Sequence, residues 1–324
     1  MDRARRRSGF LIASLALAGL ALGAAPSSRP PLAALRWLAP GADAAAILTH
    51  RPPECLVVPA DRDEAWRGEV GRAAFRTPLL LGGQAARSGV ACETCHRNGR
   101  TNRDFDLPGL SGAPGTADVT SFLFSTHRGD HVDDPKPIPD LGGTKSVLKV
   151  SQAPGSPALE LFIRGLVTEE FEGAPPPPAV LAGLAAYVRD MSPRACPAVA
   201  SEPLRVGSAA QDARRAVRAA LGALDRRDWA TAILMAQAAR SMLGAIAERY
   251  ADSAVAPVRA QVSVADLDLA ASIAEMRAGS PAAAQSLAAW LAHADAWSEA
   301  VERQEPASFY DEARLAAALA TYRR

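Results

Sequence analysis

The chain has 324 residues, and its 36 lysines and arginines nearly balance 35 aspartates and glutamates, giving a formal net charge of +1. That balance excludes the strong positive field of a nucleic-acid-binding protein, or of a protein that charge holds on an anionic membrane. Aromatic residues are only 5% of the chain while alanine and arginine abound, so we predict a mainly α fold, long enough for two modest domains.

The first 25 residues have the three parts of an export signal. Four arginines among residues 3–7 precede an apolar run over residues 9–22, and small residues at 23–25 offer cleavage sites. The apolar run is short for a transmembrane span. We therefore predict a periplasmic protein with a signal peptide over residues 1–25. An uncleaved segment that anchors the chain to the inner membrane is the alternative.

A proline- and alanine-rich lead-in over residues 26–60 precedes the first clear helical pattern. From Asp63 onward, Trp66, Val70 and Ala74 recur at i, i+4 and i+8, which predicts one apolar helix face. Acidic residues in the first turn favour a helix start at this point.

Gly71 and Phe75 lie four residues apart on this predicted helix. A glycine at that position lets a second helix cross closely. The aromatic ring is expected to pack toward the edge of the ligand that the following segment is predicted to bind. Residues 77–90 lead into that segment, and we predict that they form a loop.

The segment that follows reads Cys92-Glu93-Thr94-Cys95-His96, the covalent attachment motif of a c-type haem. Two cysteines three residues apart reach the two vinyl groups on one edge of a haem, and the adjacent histidine ligates the iron. We therefore predict one covalently attached haem c, with Cys92 and Cys95 as tethers and His96 as an axial ligand. Haem is joined to such motifs outside the bacterial cytoplasm, in agreement with the export signal.

Two other readings of the motif have less support. A structural zinc site needs four ligands, and the sequence has no second Cys-x-x-Cys to complete the set. A thioredoxin-like redox pair is expected beside a βαβ pattern, and none surrounds residues 92–96.

The two remaining cysteines, Cys55 and Cys196, flank the motif on either side. An exported protein occupies a compartment that permits disulfides, so we predict that they are joined. The bridge closes a loop of about 140 residues, which is worth about 4–5 kcal/mol by chain entropy. Two unpaired buried thiols are the alternative.

Residues 97–157 are rich in glycine, proline, aspartate, asparagine and threonine, with little periodicity. Such a long irregular stretch is typical of a functional loop or of a segment organised around a ligand. A haem supplies the apolar surface that the stretch lacks. Four arginines in it are candidate partners of the haem propionates, with solvated side chains as the alternative: Arg97, Arg100, Arg103 and Arg128.

Two helices are predicted to close this part of the chain. The first is short and amphipathic, with apolar residues Leu159, Phe162, Ile163 and Leu166. The second follows the prolines at 175–178, and its apolar stripe comprises Val180, Leu181, Leu184, Tyr187, Val188 and Met191. Pro193 ends it, which sets a predicted domain over residues 61–197.

Residues 66–196, about 40% of the chain, resemble class I cytochrome c domains. The resemblance is carried by the following residues: Gly71 and Phe75 on the first helix, Cys92, Cys95 and His96, and Leu184 with Tyr187 on the last helix. It implies the cytochrome c fold, one haem and electron transfer. Residues 75–83 and the loop over residues 118–141 are also loosely similar to the di-haem cytochrome c peroxidase and MauG-like group.

The sequence departs from these families in two ways. It has a single Cys-x-x-Cys-His where the peroxidase group carries two haems. It also has no methionine between the motif and the last helix, where class I domains place the sixth iron ligand.

His131 or His127 is therefore the predicted sixth ligand, because both lie in the loop between the motif and the last helix. Met191 is more simply a core methionine on the apolar stripe, and Lys145 and Lys149 are remote options. If both histidines are surface residues, the iron has an open face, which is the requirement of a peroxidase.

The chain from residue 205 to 324 is predicted to be a helical domain without a recognised role. Helices are expected near residues 208–224, 229–250, 263–278, 281–303 and 308–322. Ser263 and Asp266 form a capping pair, and Pro281 takes the first position of a helix.

Side chains at helical spacing in this part predict core packing instead of a cofactor site. Met235 and Met242 are seven residues apart, as are Trp290 and Trp297, which places each pair on one helix face. Five arginines are expected on a solvated face: Arg214, Arg215, Arg218, Arg226 and Arg227.

The sequence therefore predicts an exported mono-haem c-type cytochrome, a cytochrome c domain followed by an α-helical bundle, that transfers single electrons with an unidentified redox partner protein. No nucleic acid is expected as a partner, and a membrane only through an uncleaved N-terminal segment. One alternative is a peroxidase that reduces hydrogen peroxide, with His127, His131 and Glu169 or Glu170 as candidate acid–base groups. A haem-based sensor or structural protein is the other.

Overall fold

The structure is a computed structural model that describes residues 30–127 and 129–322. The predicted signal peptide, residues 1–25, lies outside the described residues, as does Arg128. The described chain is mainly α, as predicted. Its α-helices are α1 Ala44–Thr49, α2 Arg62–Phe75, α3 Gly83–Ser88, α4 Cys92–Cys95, α5 Ala158–Gly165, α6 Pro178–Asp190, α7 Val206–Asp225, α8 Trp229–Arg249, α9 Ala256–Arg277, α10 Ala282–Arg303 and α11 Glu312–Thr321.

The β-strands in the described part of the chain form two short antiparallel pairs. The strands are β1 His50–Arg51, paired with β4 Glu202–Pro203, and β2 Thr116–Ala117, paired with β3 Lys136–Pro137. The first pair joins the lead-in to the segment that precedes α7. The second lies inside residues 97–157, which otherwise form turns and 3-10 helices, as the composition predicts.

The helix α2 begins and packs as its sequence predicts. The Asp61 carboxylate accepts hydrogen bonds from the backbone N–H groups of Asp63 and Glu64 and so caps the helix. At Gly71 the helix crosses α6 at backbone contact distance, because a Cβ added there would lie 1.9 Å from the carbonyl oxygen of Gly183. The paired glycines therefore set the approach of the first and last helices of the predicted domain.

The prediction that residues 77–90 form a loop is wrong. Pro78–Leu80 forms a 3-10 helix, and α3 follows it. Proline pre-sets the backbone of a first helical turn. Gly89, with φ of 76°, ends α3 in the left-handed conformation that glycine adopts without a steric cost.

The predicted disulfide is confirmed, since Cys55 and Cys196 are bonded with sulfurs 2.02 Å apart. The bridge joins the lead-in to the chain that leaves α6. The lead-in itself carries α1 and a small apolar cluster of Leu32, Leu35 and Leu48, which packs against Leu315 of α11. Residues 30–60 are therefore fixed in two places, by the disulfide to the chain that follows α6 and by apolar packing against α11.

Four long helices, α7 to α10, form a bundle in which each contacts the next and α10 returns to α7. Trp290 and Trp297 are buried with ring centroids 5.9 Å apart, and Met235 is buried too, which confirms their core role. Among the described helices, α8 is long and apolar enough to cross a membrane, but half of that apolar stretch is buried inside the bundle. Core packing accounts for its composition.

Two details of the bundle differ from the sequence predictions. Helix α9 begins at Ala256 with Pro257 in its first turn, so Ser263 lies inside the helix and donates to the Arg259 carbonyl instead of capping. Pro281 is the residue before α10, and the Ser280 hydroxyl accepts from the Ala282 N–H. In both cases the proline governs where the helix begins.

The arginines of residues 214–227, in α7 and just after it, are not a uniformly solvated face. Arg214 binds Asp295 and the Ser298 hydroxyl of α10, both at 2.6 Å. Arg226 pairs with Asp63 of α2 and stacks over the Trp66 ring.

The bundle also packs directly against α2. The Trp66 indole N–H donates to the Ala219 carbonyl of α7 at 3.1 Å, and the hydrophobic core runs from residues of α2 and α6 into the bundle without a break. The division into domains at residues 61–197 and 205–324 stays a prediction.

Replacing Gly71 with alanine should lower the free energy of unfolding by about 1–3 kcal/mol, because the new methyl group must displace the Gly183 backbone. The matched control is Gly244→Ala in α8, where nothing lies within 4 Å of the added Cβ. That change should raise stability by about 0.5–1 kcal/mol. Urea unfolding of both variants checks the difference. Equal effects of the two substitutions would contradict the close crossing.

Candidate haem attachment site

The Cys-x-x-Cys-His segment forms the single turn of α4 and the residue that follows it. The Thr94 hydroxyl accepts from the Ala91 N–H at 3.0 Å, and the His96 N–H donates to the Cys92 carbonyl at 2.9 Å. Residues three apart on a helix lie on the same face. Cys92 and Cys95 therefore share one side of the turn, with His96 at its end.

Both cysteines of the motif are free thiols, and each is half-buried. Burial raises the pKa of each thiol to about 12, so both carry their protons at neutral pH. Since Cys55 and Cys196 are joined to each other, these two thiols are the ones that remain for chemistry.

The His96 imidazole is held by a backbone carbonyl. Its Nδ1 lies 3.0 Å from the carbonyl oxygen of Pro139, and because a carbonyl only accepts, Nδ1 carries the proton. Burial also lowers the pKa of His96 to about 4, which keeps the ring neutral at pH 7. The lone pair of Nε2 is then available as a metal ligand.

The segment that carries Pro139 is fastened to the chain just after His96. The Leu141 N–H donates to the Gly99 carbonyl at 2.9 Å, and the Thr101 hydroxyl donates to the Ile138 carbonyl at 3.0 Å. These bonds bring two parts of the irregular stretch together, about 40 residues apart in sequence, and they place the Pro139 oxygen at the imidazole.

Aromatic and apolar side chains of α2 and α6 lie behind the motif. The Phe75 ring is 6.4 Å from the His96 ring and 5.2 Å from the Tyr187 ring. Met191 is 1% exposed and its thioether sulfur lies against Gly99. That burial agrees with a core methionine.

A buried charge cluster, which the sequence did not reveal, lies next to these rings. The Glu54 carboxylate accepts from Arg72 at 3.0 Å, from Arg76 at 2.9 Å and from the Tyr187 hydroxyl at 2.6 Å. Arg72 also binds the Asp212 carboxylate of α7. Two arginines therefore face two carboxylates out of water, which is the condition under which buried ions are tolerated.

The charge cluster also reaches the motif. Arg76 donates to the Asn98 side chain at 2.9 Å, and the Asn98 N–H donates to the Glu93 carboxylate at 2.9 Å. Asn98 has φ of 49°, a left-handed conformation that asparagine tolerates better than most residues. The turn after His96 is thus tied to α2.

Two of the arginines that we considered for the haem propionates bind protein groups. Arg97 donates to the His50 carbonyl at 2.5 Å, and Arg100 pairs with Asp140 at 2.8 Å. Arg103 is exposed.

The candidate sixth ligands lie in the loop over residues 118–141, and both are exposed. His131 has φ of 62° and its ring centroid is 4.5 Å from that of Phe122. The same loop exposes 49% of Phe122 and 57% of Val132. His127 and His131 stay predictions as ligands.

The two glutamates considered for acid–base chemistry lie in the π-helical turn Leu166–Glu170 that follows α5. Glu170 is buried, and the Ser125 hydroxyl donates to the Glu169 carbonyl at 2.5 Å. The loop with the histidines therefore contacts this turn through Ser125.

Glu54→Gln should lower the free energy of unfolding at pH 7 by about 3–5 kcal/mol, because it removes a buried negative charge facing two arginines. Burial alone would raise the pKa of Glu54, but Arg76, Arg72 and hydrogen bonds hold it well below its ordinary value of 4.5. This stabilisation is therefore complete above pH 4.5 and is lost as the pH falls toward the lower folded-state pKa.

Urea unfolding from pH 7 to pH 3 measures this effect, and the gap between wild type and Glu54→Gln should narrow below pH 4.5. The control is Glu202→Gln, whose half-exposed pair with Arg51 should contribute at most about 1 kcal/mol. A gap that stays constant with pH would argue against an ionised Glu54 in the folded protein.

Comparison with known proteins gives no relative for this chain. No family model, no curated protein and no solved structure matches it. The resemblance to class I cytochrome c domains therefore depends on the sequence motifs alone, chiefly Cys92, Cys95 and His96.

Proposed function

We propose that this chain is an exported mono-haem c-type cytochrome that transfers single electrons. The observation that carries the proposal is the arrangement of Cys92, Cys95 and His96: two free, half-buried thiols on one helical turn, followed by a neutral imidazole whose Nδ1 is held by a carbonyl. A covalent haem needs these three groups in this order.

The chemistry of the three side chains fits the group. Each thiol is protonated, and its S–H would add across one vinyl C=C of the haem to form a thioether without any change in electron count. His96 would ligate the iron through Nε2, and the Pro139 carbonyl would fix the ring orientation and strengthen the imidazole as a donor. The bound haem supplies a one-electron iron couple.

The surroundings support a large apolar ligand. The Phe75 ring lies beside His96, and the Tyr187 ring packs against Phe75. On the loop, Phe122, Leu123 and Val132 expose 49%, 38% and 57% of their surfaces. These side chains lie on the loop that carries His127 and His131, so a haem whose iron bound either histidine would also cover part of this apolar surface.

The proposal includes export through residues 1–25 to the periplasm and exchange of electrons with a separate redox protein. A peroxidase acting on hydrogen peroxide is the second candidate. Its supporting observation is the exposure of both His127 and His131, since an iron that neither of them binds keeps an open face.

Cys92→Ala combined with Cys95→Ala should abolish covalent haem, while the wild type keeps it after denaturation in a gel stained for haem. His96→Gln should lose the iron ligand and the native absorption spectrum. The matched control is His293→Gln on α10, because the Nδ1 of His293 also lies at a backbone carbonyl, that of Ala289. A colourless wild-type band from cells with working cytochrome c maturation would reject the proposal.

The sixth ligand separates the carrier from the peroxidase, and we expect a low-spin ferric haem with His131 or His127 bound. His131→Gly is a clean test, because glycine adopts the positive φ of this position without strain. Replacing the true ligand should give a high-spin spectrum and allow cyanide to bind, whereas the other single variant keeps the wild-type spectrum. A wild-type protein that is already high spin and turns over peroxide would favour the enzyme.

A further inference from the structure

Arg100 connects three parts of the site through one guanidinium group. Its Nε and Nη2 face the Asp140 carboxylate, each with a contact of 2.8 Å. Its Nη1 lies 3.0 Å from the sulfur of Cys55 and 3.3 Å from that of Cys196. Each of the three guanidinium nitrogens therefore contacts either the carboxylate or the disulfide.

Asp140 is the residue after Pro139, whose carbonyl holds His96. One carboxylate oxygen of Asp140 also accepts from the Gly142 N–H at 2.9 Å, which fixes the turn that follows. Arg100 lies four residues after His96. The Arg100–Asp140 pair thus spans the two segments whose approach creates the bond between Nδ1 and the carbonyl oxygen.

We propose that Arg100 is a positioning residue for His96, and that it couples the orientation of the imidazole to the Cys55–Cys196 disulfide. The inference rests on the proposed function, because it concerns the ligand that His96 would supply to iron. The bidentate pair holds the Pro139 carbonyl against Nδ1, and the disulfide is the fixed surface against which the guanidinium lies.

The physical consequence is a change in the redox equilibrium of the haem. A hydrogen bond from Nδ1 to a carbonyl makes the imidazole a stronger donor, which favours the ferric iron. When the carbonyl is free to move away, the imidazole donates less electron density to the iron. The ferrous state is then stabilised relative to the ferric state. Loss of the Arg100–Asp140 pair should therefore shift the midpoint potential to more positive values.

The experiment compares haem-loaded wild type with Arg100→Gln and Asp140→Asn. We expect both variants to shift the redox equilibrium constant about tenfold, which is about 59 mV for one electron. The iron–histidine stretching frequency of the ferrous protein, measured by resonance Raman in a five-coordinate form, should fall in both. Arg100→Lys keeps a charge opposite Asp140 and should restore part of the potential.

The matched control is Arg240→Gln in the bundle. Arg240 also makes a bidentate pair, with Asp266 at 2.7 and 2.9 Å, and the side-chain exposures of the two pairs are similar. This variant should leave the potential and the iron–histidine frequency unchanged, although it removes an ion pair of the same kind.

The coupling to the disulfide is tested by the double variant Cys55→Ala, Cys196→Ala, alone and with Arg100→Gln. We expect the cysteine variant to shift the potential in the same direction, and the combination to shift it by less than the sum. A strictly additive result would overturn the coupling. If the cysteine variant does not fold, partial reduction of the wild-type disulfide by a dithiol gives the same comparison.

The outcomes also separate this inference from the proposed function. An Arg100→Gln protein that holds haem with the wild-type potential would overturn the positioning role and leave the cytochrome proposal standing. A wild type without covalent haem would overturn the proposed function itself. If Arg100→Gln fails to retain haem, Asp140→Asn decides the positioning role.

Discussion

The approach of α2 and α6 at Gly71 and Gly183 is the contact on which the rest of the site depends. Because neither residue has a Cβ, the two helix backbones meet directly, and a side chain at Gly71 would have to displace the Gly183 carbonyl. The crossing sets the positions of Phe75 and Tyr187, whose rings are 5.2 Å apart beside the motif. The segment with His96 then packs against a surface that two helices fix.

Charge pairing explains why the molecule tolerates buried charges beside an apolar site. Arg72 lies in the last turn of α2 and Arg76 directly follows the helix, and their guanidinium groups are buried with Glu54 of the lead-in and Asp212 of α7. Each arginine would carry a large desolvation cost alone, and the two carboxylates offset it. The C-terminal bundle thus contributes one of the four charges, so Asp212 links bundle stability to the environment of the motif.

Much of the fold and of the site could be predicted from the sequence. This holds where the pattern lies within a few neighbouring residues or where few pairings are possible. Cys92, Cys95 and His96 stand within five residues, and a spare pair of cysteines left one partner for Cys55. Helical periodicity located α2, α6 and the bundle helices to within several residues, the largest error being the start of α9. The prolines and glycines around α3 predict a loop, but Pro78 and Gly89 in fact begin and end short helical segments.

The remaining features depend on contacts between distant residues, which periodicity does not encode. Glu54 and Asp212 are 18 and 140 residues from Arg72, and nothing in their own neighbourhoods marks them as its partners. The bond between His96 and the Pro139 carbonyl spans 43 residues of a stretch without regular structure. Such polar contacts form when the chain packs, and only a three-dimensional structure brings them together.

The central claim is that Cys92 and Cys95 carry a haem, and peptide mass spectrometry of the denatured, alkylated protein tests it most directly. The protein should be purified from cells with working cytochrome c maturation. We predict that the peptide with residues 92–96 gains the mass of one haem, that neither of its cysteines is alkylated, and that the Cys55–Cys196 peptides stay joined until reduction. Recovery of the same peptide without haem and with both cysteines alkylated would contradict the account.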